Sequence, residues 1–230
     1  MSNDLGDNAA PMNAPSNNNS AAPIAAGPFG QWLQQARAAL RGNGGMDVPC
    51  GDCVGCCTSH YSILLRPHDA ALDIVPVKFL SSVPGLFYPH AKMNPMPNGH
   101  CPMFQEGRCS IYAQRPQTCL DYDCRVFAAA GIPTGDNRPT INQRIKQWRF
   151  TYESAAEQQA HAAVQAAATF INEHSAAFPA GWLPDNPSGI AVLAVKVYEL
   201  FLSEPMSDAA EMAEAIVKAS RAFDAAGVSK

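Results

Sequence analysis

Cys50-Gly51-Asp52-Cys53-Val54-Gly55-Cys56-Cys57 is the stretch of sequence on which the fold of this chain depends. The remaining cysteines form a second, more widely spaced set at Cys101, Cys109, Cys119 and Cys124. Written as a pattern, the two sets are C-x2-C-x2-C-C and C-x7-C-x9-C-x4-C. All 8 cysteines of the 230-residue chain lie in this one region, whereas cysteines that only fill a core would be scattered. The pattern therefore predicts that the eight thiolates bind shared metal ions.

The spacing of the first set has a physical reason. Two intervening residues let a tight turn direct two sulfur atoms at one point. Gly51 and Gly55 suit such a turn, because glycine adopts a positive φ at little cost. Zinc sites use this turn and close it with a second ligand pair. Iron–sulfur sites use C-x2-C-x2-C with a remote fourth cysteine, often followed by proline, as Cys101-Pro102 is here. Both metals remain open at this point.

The adjacent pair Cys56-Cys57 bears on the number of metal sites. In an extended chain, neighbouring side chains point in opposite directions, so two adjacent cysteines rarely bind one ion together. Eight thiolates make two four-cysteine sites, or one site with spare or bridging thiols. His60 and His100 lie close to cysteines in the sequence and are alternative ligands.

Charge, apolar runs and the first residues of the chain indicate which partners and which cellular compartment to expect. The net charge is −4 and the 16 Lys and Arg are scattered, which predicts no nucleic-acid surface. No apolar run is long enough for a membrane helix, and residues 1–20 lack the pattern of a secretory signal. We therefore expect a cytoplasmic protein. Because the cytoplasm is reducing, clustered cysteines there favour metal binding over disulfides.

Changes in composition predict four segments in an α+β fold. Residues 1–27, rich in Asn, Ala, Ser and Pro, read as a disordered tail, and residues 28–45 as a helix and linker. Residues 46–127 read as a small, loop-rich metal-binding domain with short strands. Residues 128–230 read as a mainly α-helical C-terminal segment.

Apolar periodicity and turn residues predict the individual elements. These are a helix over about 29–40, a strand over 61–65, a helix over 67–74, a helix from Thr140 to about residue 175, a helix over about 190–201, and a last helix capped by Ser207 and ended by Gly227.

The motifs around the second set resemble a known family. They are Cys101-Pro102-x-Phe104, Gly107-x-Cys109-x-Ile111-Tyr112, Arg115-Pro116-x-x-Cys119 and Tyr122-x-Cys124. Together with the first set, they resemble the YkgJ-like cysteine-cluster family. The resemblance implies a zinc- or iron-chelating domain and does not imply a reaction.

Three functional hypotheses follow. The first is a metal-binding protein, structural or accessory, that coordinates iron (as an iron–sulfur cluster) or zinc through its cysteines. The second is an iron–sulfur enzyme or electron carrier. A protein-modifying methylase is one such enzyme, since flagellin lysine methylases carry a similar cluster. The third is a redox- or metal-responsive module whose C-terminal helices dock a protein partner. The sequence contains no recognisable catalytic motif, so catalytic residues are unknown.

Overall fold

The largest unit of the fold is a layer of helices packed around one hydrophobic core. The computed structural model describes residues 22–46, 48–86, 89–203 and 208–228. Four helices supply most of this layer, and their bounds are α1 (Phe29–Leu40), α6 (Ala155–Glu173), α7 (Pro187–Val197) and α8 (Ala209–Val228). Helices α6 and α7 pack closely, and α7 also contacts α8 and α1. The core is built mainly of Ala, Val, Ile and Leu side chains from these helices.

Local signals in the sequence fix where two of these helices begin. Ser154 precedes α6, and its hydroxyl accepts a hydrogen bond from the Glu157 backbone N–H. Asn186 does the same for α7 by accepting from the Gly189 N–H, and Pro187 occupies the first helical position. Each cap satisfies one of the backbone donors that the first turn leaves unpaired.

A short parallel ribbon joins the two ends of the helical layer. Strand β1 (Ile24–Pro28) pairs with β7 (Trp148–Thr151), with Ile24 opposite Trp148. The pairing brings the start of the described chain beside the residues that precede α6. Phe150 of β7 packs on Phe29 and Trp32 of α1. The ribbon therefore fixes α1 against the rest of the helical layer.

The cysteine-rich region forms a second, smaller unit. Its sheet has the order β2 (Ile63–Leu65), β4 (Ala91–Met93), β3 (Leu80–Ser82), with both pairings antiparallel. A separate hairpin pairs β5 (Phe104–Gln105) with β6 (Arg108–Cys109). The buried core of this unit contains only Leu65, Ala71, Val75, Met93, Met103 and Ile111 among the described residues.

Short helices connect the two units. They are α3 (Gln117–Asp121), α4 (Arg125–Ala130) and α5 (Pro139–Gln147), whereas α2 (Ala71–Ile74) belongs to the small unit. Helix α3 lies beside β2, where the Thr118 hydroxyl donates to the Leu64 carbonyl at 2.7 Å. Helix α4 packs on α6 and α7. The chain thus passes from the small unit to the helical unit between α3 and α4, a step that includes Cys119 and Cys124.

The fold class expected from the sequence is confirmed, because short strands in a loop-rich region are followed by a helical part. The helix predicted from Thr140 to about residue 175 is wrong in its continuity. It is divided into α5 and α6 by strand β7, since Trp148–Thr151 finds a pairing partner in β1.

Several predicted ends of helices and segments either differ from the structure or lie outside the described residues. Residues 1–21 of the predicted tail and the predicted cap Ser207 lie outside the described residues, while Ile24–Pro28 forms β1. Gly227 lies inside α8 rather than ending it. Among the described helices, none combines the length and apolar character needed to cross a membrane.

Candidate metal centre

The most distinctive feature of the molecule is a cavity between the two units that is lined by all eight cysteines. Its volume is about 460 Å³. The remaining lining residues are mostly apolar or aromatic, and they include Met46, Met103, Tyr61 and Tyr122. All eight cysteines are free thiols. The structure thus brings both sets of cysteines to one cavity, although Cys57 and Cys101 are far apart in the sequence.

The first two cysteines lie on a tight turn. The Cys53 backbone N–H donates to the Cys50 carbonyl at 3.0 Å. Gly51 has a φ of +57° within this turn, a conformation that glycine adopts without the steric cost of a Cβ. The sequence-based interpretation of Gly51 agrees with this geometry.

Gly55 serves a different purpose from the one its sequence position suggested. Its φ lies outside the left-handed region, but an added Cβ would lie 3.1 Å from Cγ1 of Ile141 and 3.5 Å from Sγ of Cys53. Gly55 begins a 3₁₀ helix, Gly55–Thr58, that carries Cys56 and Cys57. Close packing against α5, and not a positive φ, therefore requires glycine at this position.

The later cysteines come from four different local structures. Cys101 follows a loop, and its N–H donates to the Cys57 carbonyl at 2.7 Å. Cys109 lies on strand β6 and Cys119 on helix α3. Cys124 is the residue that immediately precedes α4 and is buried. Tertiary packing, rather than one local motif, brings these four thiols to the cavity.

Burial governs the protonation of these thiols. Loss of solvation, followed by the charges of Cys101 and Cys109, raises the pKa of Cys57 to about 12. Burial also raises the pKa of Cys119 to about 12, with Cys101 and Cys57 adding to the effect. Without a bound cation, these groups are neutral thiols near pH 7. A metal ion that binds here must displace their protons.

Cys124 has an environment of its own. Burial raises the pKa of its thiol to about 12, while a hydrogen bond from Trp148 acts in the opposite direction. The indole Nε1 of Trp148 lies 3.2 Å from the Cys124 sulfur. An N–H that points at a sulfur stabilises its thiolate form, which is the form that binds metal.

Positive charge also lies near the cavity. Arg144 and Arg115 both lower the pKa of Cys50, although burial and Cys53 outweigh them and raise it overall. Arg115 has the same lowering effect on Cys119, and its guanidinium stacks over Tyr112 at 4.0 Å. Four thiolates around one divalent ion carry a net charge of −2, so nearby arginines favour the charged form.

The donor set fits zinc or iron in its chemistry and location. Thiolates are preferred ligands of both metals, and eight of them line one cavity. Among the described residues, no three His, Cys, Asp or Glu side chains are grouped closely enough to hold an ion as they stand. Coordination therefore requires the thiols to lie closer together than they do in this structure.

The two histidines considered as alternative ligands do not line the cavity. His60 is exposed, and its ring covers the buried Gly99. His100 packs edge-on against Phe104. The thiols of the cysteines are therefore the main metal donors on the cavity wall, which also includes Asp52 with its exposed side chain.

Sequence reasoning missed several residues around the centre. Asp123, which no sequence motif singled out, is buried and forms an ion pair with Arg125 at 2.9 Å. The hydroxyls of Tyr61 and Tyr122 form a hydrogen bond of 2.9 Å on the cavity wall. The Arg138 guanidinium also donates a hydrogen bond to the Tyr61 hydroxyl. Sequence position gave no signal for Trp148 or Arg138, since both come from outside the cysteine region.

Comparison with known proteins agrees with the donor set. Residues 49–147 match the family model CxxCxxCC, whose description reads "Putative zinc- or iron-chelating domain". This region is a CxxCxxCC domain. It begins just before Cys50 and ends with helix α5, so it includes all eight cysteines. Neither the curated proteins nor the solved structures gave a match.

The family match confirms the cysteine-cluster resemblance seen in the sequence and the expectation of zinc or iron as the cofactor. It also shows metal binding as the general property of the CxxCxxCC domain. Helix α5 belongs to the matched region. Its Ile141 packs on Gly55 beside Cys53.

Proposed function

We propose that the eight cysteines are the ligands of the CxxCxxCC domain and that they hold iron in iron–sulfur form, with zinc as the alternative metal. The observation that carries this proposal is the cavity lined by all eight thiols. Any other use of eight cysteines would leave unexplained why six separate local structures place them around one cavity. No histidine lines the cavity, and Asp52, the one acidic residue on its wall, has a fully exposed side chain that pairs with Arg144.

Two features support iron–sulfur chemistry over a single zinc ion. The cavity of about 460 Å³ offers more space than one ion fills, and a cluster brings inorganic sulfide in addition to its metal. The Trp148 N–H lies against the Cys124 sulfur, and hydrogen bonds to cysteine sulfurs are one of the means by which proteins set the potential of such clusters.

The metal also supports the fold of the small unit. Its core consists of six buried residues within the described chain, and its sheet has strands of three residues each. A core of this size contributes little stability alone. Metal–thiolate bonds that tie the first set of cysteines to the second add folding free energy directly. We therefore assign the metal a structural role in holding the CxxCxxCC domain together.

The test is metal analysis of the full chain purified without oxygen. We expect iron and acid-labile sulfide in the protein, with visible absorption that gives a brown colour. A colourless preparation with zinc and no iron would assign the same ligands to zinc. A Cys53→Ser variant is expected to lose metal and thermal stability, whereas His60→Asn is the matched control. Asparagine tolerates the φ of +58° at residue 60. Full metal content in Cys53→Ser would contradict the proposal.

A further inference from the structure

We propose that the eight thiols form two separate four-cysteine sites, divided between Cys56 and Cys57. The helix-side group consists of Cys50, Cys53, Cys56 and Cys124. The sheet-side group consists of Cys57, Cys101, Cys109 and Cys119. This inference rests on the proposed function, since it assigns ligands within the same cavity. It differs from the order in the sequence, where the first four cysteines stand apart from the last four.

The packing of the cysteines supports this division. Cys124 is part of the core of the helical unit. Cys101 and Cys109 pack against the core of the small sheet instead. Since both cores contribute to the cavity wall, the last four cysteines do not share one environment. Cys124 is the one cysteine of the second set that belongs to the helix-side group.

The backbone around the first set shows the same division. The Gly55 backbone packs against Ile141, which belongs to the helical core, and the Cys53 sulfur lies beside this contact. Arg144, on the same helix as Ile141, reaches Asp52 at 3.4 Å. In contrast, the Cys57 carbonyl accepts the Cys101 N–H. The first turn is thus attached to the helical unit, and Cys57 is attached to the loop that carries Cys101.

Helix α3 places Cys119 with the small sheet. Thr118, its neighbour, donates from its hydroxyl to the Leu64 carbonyl of β2 at 2.7 Å. Five residues further along the chain, Cys124 lies within hydrogen-bond distance of Trp148 on β7. The segment between Cys119 and Cys124 therefore crosses from one side of the cavity to the other.

The conformation of Cys56 and Cys57 explains how adjacent residues serve different sites. Both lie in the 3₁₀ helix Gly55–Thr58. With three residues per turn, consecutive side chains of such a helix point about 120° apart. One sulfur can therefore face Cys124 while the next faces Cys101, without any distortion of the backbone.

The experiment compares three double variants that each remove two thiols from the full chain. Cys50→Ser/Cys53→Ser removes two helix-side ligands, and Cys101→Ser/Cys109→Ser removes two sheet-side ligands. Cys53→Ser/Cys109→Ser removes one ligand from each group. We expect the first two variants to keep half of the metal of the parent protein. We expect the third to lose most of its metal, although it has lost the same number of thiols.

A second measurement does not depend on the folding of variants. The unsubstituted chain, freed of its metal and loaded with ¹¹³Cd, is expected to give two ¹¹³Cd NMR resonances in the range of four-thiolate coordination. A single resonance, or the same metal loss in all three double variants, would overturn the division and leave the proposed function standing. An unsubstituted chain that binds neither iron, zinc nor cadmium would overturn the proposed function itself.

Discussion

The Nε1–H of Trp148 donates a hydrogen bond to the sulfur of Cys124 across 3.2 Å, in the interior of the protein. Trp148 begins strand β7 and Cys124 immediately precedes helix α4. The contact therefore connects the ribbon formed with β1 to the cysteine cavity. Through this hydrogen bond, the helical unit contacts a candidate ligand directly.

The first prediction concerns this contact. Trp148→Phe keeps an aromatic ring but removes the N–H, so the thiolate form of Cys124 loses a donor. Partners that support a ligand typically contribute a factor of about 10 or more to metal affinity. We expect metal affinity to fall roughly 10-fold, as measured by competition with a chelator.

Trp32→Phe is the matched control for this variant. Trp32 is also buried, but its indole donates to Asp123 and not to a thiol, at 2.8 Å. This variant is expected to lose stability while its metal affinity stays at the level of the unsubstituted protein. Equal affinities for Trp148→Phe and Trp32→Phe would show that the sulfur contact has no effect on binding.

The second prediction concerns the buried ion pair beside the centre. Asp123 contacts Arg125 at 2.9 Å and accepts from Trp32, and Arg125 also donates to the Ala26 carbonyl of β1. Asp123→Asn removes the carboxylate that pairs with the buried charge of Arg125. We expect the free energy of unfolding, measured with urea, to fall by about 3 kcal/mol.

Asp121 offers a matched control for this variant. It pairs with Arg66 at 2.8 Å, but the Arg66 side chain is 49% exposed. Solvent screens such a pair, so Asp121→Asn is expected to cost less than about 1 kcal/mol. Similar losses in the two variants would contradict the importance given to the buried pair.

These residues also show what the sequence could not reveal. Phe29, Trp32, Leu33 and Ala36 recur with helical spacing and are buried in α1, so periodicity alone was enough to predict that helix. The residues 148–151 continue an apolar pattern that suggested a longer helix. They form a strand because they pair with β1. Since β1 lies far back in the sequence, no local pattern could predict this pairing.

The candidate site shows the same division between local and distant information. The cysteine spacing predicted metal binding, and Gly51 was correctly placed on a tight turn. The burial of Asp123 was missed because its partner Trp32 is distant in sequence, although Arg125 is only two residues away. The role of Gly55 was misread because its close neighbour Ile141 lies on α5. Tertiary contacts decided each of these cases.

The third prediction follows from Gly55. An added Cβ would lie 3.1 Å from Cγ1 of Ile141, which is tighter than an ordinary van der Waals contact, so the Ile141 side chain would have to move by a few tenths of an ångström. We expect Gly55→Ala to lower the free energy of unfolding by about 1–3 kcal/mol and to weaken metal binding through Cys53.

A double variant tests whether this contact is the cause. Ile141→Ala alone removes a buried side chain and is expected to cost about 2–5 kcal/mol. In Gly55→Ala/Ile141→Ala the new methyl group occupies part of that space. The double variant is therefore expected to be no less stable than Ile141→Ala alone, as measured by urea unfolding. Simple addition of the two losses would mean that Gly55→Ala acts elsewhere.

The last prediction concerns removal of the metal. The small unit has a six-residue core in its described part and three-residue strands, whereas the helical unit has an extensive core. We expect a chelator to destabilise the two units unequally, because the helical unit keeps its own extensive core when metal–thiolate bonds are lost and the small unit does not. In hydrogen exchange, protection is expected to fall in Ile63–Leu65 and Ala91–Met93 and to persist in α6 and α7. The Cys101→Ser/Cys109→Ser variant should reproduce this pattern without a chelator. A uniform loss of protection across both units would show that the metal stabilises the chain as a single cooperative structure.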